Sequence, residues 1–137
     1  MEKTINNAQL VEATKNIPII AEKECWVLTF DKNEGALFYS PEKISDGAVL
    51  HQITDEYALY LDKNLKPQGV MIECFKENFF EHHEFFKQLS EDIFNRKEAI
   101  VVLNPKTKNK NKGKVAILTG LLESILIKEA GARLIPA

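Results

Sequence analysis

The chain has 137 residues, of which 45% are hydrophobic and 28% charged, and carries a formal net charge of −2. This composition suits a single globular domain over residues 1–137, large enough to bury a core without metal or disulfide staples. It excludes a membrane-spanning helix, because no run approaches the ~20 uninterrupted apolar residues that a span needs.

The N-terminus, Met1-Glu2-Lys3-Thr4-Ile5, has no basic segment followed by an apolar one, so no secretory signal is expected and the expected setting is cytoplasmic. The charge is divided unevenly. Residues 1–75 hold seven Lys and no Arg against twelve acidic residues, a net of −5; residues 76–137 hold eleven basic and eight acidic residues, a net of +3. Cys25 and Cys74 both fall in apolar, strand-like runs, where a free cysteine acts as a small hydrophobe. Two strands of one sheet could also bring them together, which leaves a disulfide open.

Residues 4–15 read as a helix, capped by Thr4 and stopped by Pro18, with Ile5, Ala8 and Val11 on one stripe. From Trp26 the apolar period becomes two. Strands are predicted near 25–30, 36–40, 48–53, 57–62 and 69–75, joined by short connections rich in turn residues. Short connections cannot contain the crossover of a parallel pair, so the strands should form an antiparallel meander. Two of the connections carry the same tripeptide, Asp31-Lys32-Asn33 and Asp62-Lys63-Asn64. Asp and Asn favour turns because their short side chains bond nearby backbone groups. The first copy reaches Gly35 quickly and the second passes through Pro67 before Gly69, so they share turn chemistry more than ancestry.

Asn78 with Glu81 matches a capping box, and Phe79, His83, Phe86, Leu89, Ile93 and Phe94 follow at helical spacing. A long helix over 79–96 should therefore cover the sheet. Residues 100–104 form a sixth strand candidate, ended by Pro105. A C-terminal helix is predicted over about 119–130, with Gly120 as a natural break and Gly131 as its C-terminal cap. The state of 114–118, strand or helix, stays open. The fold class is thus α+β: an antiparallel meander of about five or six strands packed against a long helix, flanked by N- and C-terminal helices.

Lys106, Lys108, Lys110, Lys112 and Lys114 alternate with Thr, Asn and Gly. An extended segment would put all five on one side, a comb suited to nucleic-acid phosphates or other anions. The arginines and interleaved aromatics that read or stack on bases are missing from it. The adjacent His82 and His83, near Glu77, Glu81 and Glu84, invite a metal reading. Adjacent helical residues point about 100° apart, however, and neither His-Glu-x-x-His nor Glu-x-x-His spacing occurs, so no metal ligand or cofactor is assigned. His51, Tyr60, Glu73 and Cys74 lie on strand-like segments and define the one enzyme candidate that a sheet could assemble. No orienting third group or phosphate loop accompanies them.

Residues 30–73 resemble a family of small prokaryotic domains of unknown function. Its pattern is Tyr-Asp, then Asp-x-Leu-Tyr, then an Asp-x-Asp turn and Gly-Ile-Glu. Phe30-Asp31, Ala36-Leu37-Phe38-Tyr39, and Leu61-Asp62-Lys63-Asn64 with Gly69-Val70 stand for these parts. Gly35 replaces the second acidic residue, Leu65 stands where a turn Gly is usual, and Met71 where the Glu would be. The resemblance implies a compact sheet-and-helix domain and no particular reaction. Together these features lead to the expectation of a non-enzymatic binding or regulatory module that acts through protein contacts, as a homodimer or with a protein partner. Nucleic-acid association through the lysine segment comes second, and a small enzyme third.

Overall fold

A computed structural model describes residues 6–44, 46–73, 83–84, 86–88, 91, 95, 97–104 and 112–132, the last segment from residue 115 with its side chains. Six antiparallel strands form one sheet: β1 (Val27–Asp31), β2 (Ala36–Ser40), β3 (Val49–Gln52), β4 (Ala58–Leu61), β5 (Pro67–Ile72) and β6 (Ile100–Leu103). Among the described residues, three helices with defined bounds accompany it: α1 (Asn7–Lys15), α2 (Ile17–Lys23) and α3 (Lys112–Ala132). The molecule is α+β, and no described helix is long and apolar enough to cross a membrane.

The strand order is β3-β4-β5-β2-β1-β6, so the sheet is more than a meander. β3, β4 and β5 do form one, and β1 and β2 form a hairpin. β5 then pairs with β2, Leu37 facing Ile72 and Tyr39 facing Val70, and β6 adds to the outer side of β1. The connection from β2 to β3 therefore passes over β5 and β4 to reach the far edge. It leaves Ile44 lying on Gly69, whose missing Cβ would stand 2.9 Å from the Ser40 Cβ.

Both Asp-Lys-Asn turns behave as their chemistry requires. Asp31 Oδ1 accepts from the Glu34 amide at 3.1 Å, and Gly35 takes φ 66°. Asp62 Oδ1 accepts from the amides of Asn64 and Lys66 at 2.8 and 3.0 Å. In this second turn Leu65 itself adopts φ 65°, a left-handed conformation that a side chain resists by about 1–2 kcal/mol.

The helices depart from the sequence reading in four places. Asn6 caps α1, its side chain accepting from the Gln9 amide at 2.8 Å while Gln9 answers the Asn6 amide at 3.0 Å; Thr4 lies outside the described residues. Pro18 does not end the chain's helical run. It sits in the first turn of α2, where proline's missing N–H has no partner to lose. Cys25 and Trp26 precede β1 instead of belonging to it: Cys25 is exposed at φ 57°, and the Trp26 amide donates to the Ala21 carbonyl at 2.9 Å. That bond and that φ make a Schellman ending to α2 with cysteine in the glycine position. Finally, α3 begins at Lys112, includes 114–118, and runs through Gly120 and Gly131. Val115, Leu118, Leu122, Leu126 and Ala130 recur every three or four residues and are all buried, and their packing outweighs the roughly 1 kcal/mol that each interior glycine costs.

The helices pack on one face of the sheet. Its residues there are Leu28 and Phe30, Leu37 and Tyr39, Leu59 and Leu61, Val70 and Ile72, Val101 and Leu103, which share one buried cluster with Leu10, Ile17 and the apolar stripe of α3. Most of the 79–96 helix expected in this role lies outside the described residues. Phe86 from it is fully buried in the same cluster, and the C-terminal helix α3 is a long helix that shares that cluster with the sheet.

The other face follows from the registers. Val102, Thr29, Phe38, Met71, Ala58 and Gln52 form one row across all six strands. Phe38 and Met71 are only half-buried, and Leu50, Ile100 and Val102 are 40%, 55% and 55% exposed.

Candidate functional site

Three elements bring polar groups together at the end of α3. The turn between β3 and β4 is wound tightly: the amides of Ile53 and Thr54 both donate to the Tyr57 carbonyl, at 3.1 and 3.2 Å. The Thr54 hydroxyl accepts from the amides of Glu56 and Tyr57 at 3.1 and 3.3 Å, and Gln52 Nε2 donates to the Tyr57 carbonyl at 3.2 Å and to the Thr54 carbonyl. Tyr57, fully buried, then reaches across to donate to the Leu126 carbonyl of α3 at 2.8 Å. Glu129 lies three residues beyond Leu126, about one helical turn along. His83 stands at the start of a helical turn, its carbonyl accepting from the Lys87 amide at 3.0 Å, with Phe86 anchoring that turn in the core.

The result is a three-residue cluster. His83 Nε2 is 3.0 Å from Glu56 Oε2 and 3.1 Å from Glu129 Oε1. Burial, and then the facing Glu56 carboxylate, push Glu129 up to about 8, against the opposing pull of the Thr54 hydroxyl. Glu129 Oε2 is buried and makes no hydrogen bond of proper geometry among the described residues.

A second polar group lines a cleft of about 280 Å³ between α2, β2 and α3. Trp26 and Tyr39 meet there edge to face, ring centroids 5.2 Å apart, and the Tyr39 hydroxyl donates to Glu123 Oε2 at 2.9 Å. Burial raises the Glu123 carboxyl above its ordinary value, opposed by the Tyr39 hydrogen bond and reinforced by Glu22. Burial and the Glu123 carboxylate raise the Tyr39 phenol as well, which keeps it a proton donor. Trp26 is almost wholly buried, yet its Nε1 has no acceptor among the described residues.

The candidates named from the sequence are scattered. His51 pairs with buried Leu59, whereas Tyr60 is the next residue along β4 and points to the opposite face, its hydroxyl 4.0 Å from Met71 Sδ. Glu73 is exposed in the turn after β5, and Cys74 lies outside the described residues. His51 and Tyr60 therefore do not share a cleft, and that enzyme candidate loses its geometry. Lys106, Lys108 and Lys110 lie outside the described residues, while Lys112 and Lys114 belong to the first turn of α3.

Spacing along the sequence does not reveal the grouping of His83 with two carboxylates. Its partners are 27 residues earlier and 46 residues later. Comparison with protein-family models, with curated proteins and with solved structures finds no match to this chain.

Proposed function

We propose that the protein is a binding module that acts through protein contacts, with a second copy of itself as the occupant of a sheet edge that is open among the described residues. The observation that carries this reading is β6. Ile100-Val101-Val102-Leu103 is an edge strand with no charge, proline or glycine, and its two outward residues are 55% exposed. Edge strands that stay single are blunted by lysine, proline or a bulge, because their free backbone groups template pairing.

Pairing of β6 with itself is self-complementary. A two-fold axis through Val101 sets Ile100 opposite the partner's Val102, so both exposed side chains are covered by one operation and no like charges meet. The apolar row of Phe38 and Met71 continues inward from Val102 and extends the contact across the sheet. The opposite edge strand, β3, exposes Val49 and Leu50 but breaks its apolar run with a histidine and a glutamine. A cytoplasmic setting, where exposed Cys25 stays reduced, accords with this role.

Size-exclusion chromatography with light scattering provides the test. Wild-type protein should show a dimer mass that falls on dilution, and Val102→Lys should be monomeric with an unchanged circular-dichroism spectrum. A wild-type monomer at every concentration, or a dimer that Val102→Lys leaves intact, contradicts the reading.

A further inference from the structure

The geometry points to a divalent transition-metal site built from Glu56, His83 and Glu129. One donor atom from each residue lies within 4.8 Å of the other two. The two distances at His83 Nε2, 3.0 and 3.1 Å, are those of neighbouring ligands on one ion, since donors ~2.0–2.2 Å from a metal stand ~3.0–3.5 Å from each other.

Proton counting leads to the same place. A ring nitrogen carries at most one hydrogen, so Nε2 cannot give a full hydrogen bond to both carboxylates. A divalent ion with neutral imidazole satisfies all three groups at once, and it leaves the buried Glu129 Oε2 within reach as a second oxygen from the same carboxylate. An adventitious surface contact would lack the framework that holds these groups. Glu56 sits on a turn clamped to α3 by the bond from Tyr57 to Leu126, and His83 is fixed by buried Phe86. The side chains keep 11–23% exposure, enough for an ion to enter.

The donor set selects the ion. One imidazole and two carboxylates without a thiolate suit Zn2+ or Mn2+; Mg2+ and Ca2+ prefer oxygen alone, and Cu+ prefers sulfur. Three protein ligands leave a coordination position for water or a small anion, as in open zinc sites.

Titration calorimetry of the metal-stripped full chain with ZnCl2, repeated with MnCl2 and MgCl2, tests the assignment. One Zn2+ should bind per chain with micromolar affinity, Mg2+ should not compete, and Zn2+ should raise the melting temperature. His83→Ala and the nearly isosteric Glu129→Gln should each weaken binding by about tenfold or more and remove the thermal shift, whereas His51→Ala should leave both unchanged. Glu129→Gln preserves shape and serves where His83→Ala unfolds. Zn2+ and Mn2+ affinities no tighter than millimolar, or Zn2+ affinity unchanged in Glu129→Gln, overturn the site.

Discussion

The two faces of the sheet are made from alternate residues of the same strands, yet they have different fates. On one face the strands present Leu28, Phe30, Leu37, Leu59 and Val70, all fully buried beneath the helices. That face is also tied down by two phenols, Tyr39 to Glu123 and Tyr57 to the Leu126 carbonyl. On the other face the row from Val102 through Thr29 and Phe38 to Met71 is covered only in part, with Phe38 and Met71 half-buried and Val102 55% exposed. Apolar alternation on both faces thus meets two different surroundings: one face is closed by the helices, and the proposed dimer contact draws on the other.

Substitution of matched aromatics separates these surroundings most strongly. Phe30→Ala on the closed face should cost about 3–5 kcal/mol in denaturant unfolding, while Phe38→Ala on the half-buried row should cost clearly less. Equal losses would mean that the second face is as well packed as the first. Next in size is Tyr57→Phe, which removes a buried hydrogen bond to a carbonyl that already serves α3 and should cost about 0.5–1.5 kcal/mol. It should also loosen the grip on Glu56, read as weaker Zn2+ binding without any change to a ligand. Cys25→Gly works in the other direction. Glycine suits φ 57° at the end of α2, so the melting midpoint should rise by an amount equal to roughly 0.5–1 kcal/mol.

The smallest effect is a dependence on pH. Because the folded carboxyl of Glu123 is raised, folding favours its protonated form. Its contribution is fully present below the ordinary carboxylate value of 4.5 and is lost as pH rises through the raised one. Glu123→Gln, which still accepts from Tyr39, should therefore gain stability over wild type at pH 8 more than at pH 4. Thermal scans at the two values give the comparison, and a gain that is equal or larger at pH 4 would remove the closed face's electrostatic cost.

The elements with local causes were legible in the sequence. Strand period, Asp31 and Asp62 as turn acceptors, and the odd placement of Leu65 all depend on residues within a few positions, and each has its counterpart in the backbone. What was not legible depends on distance along the chain. The pairing of β5 with β2 requires the chain to pass over two strands, and no turn residue encodes that choice. Gly120 reads as a break because glycine weakens an isolated helix, yet burial of Leu118, Leu122 and Leu126 decides the matter in three dimensions. Glu56, His83 and Glu129 could not be associated for the same reason: the Tyr57 clamp that aligns them exists only after folding.

The contrast between the faces rests finally on whether β6 is covered in solution. Hydrogen–deuterium exchange at low and high protein concentration measures this directly in a peptide spanning 100–103, with a peptide spanning 49–52 as the opposite edge. Exchange of the β6 amides should slow as concentration rises, while β3 exchange stays constant. Concentration-independent exchange at β6, at levels where the mass should be dimeric, would contradict the proposed contact.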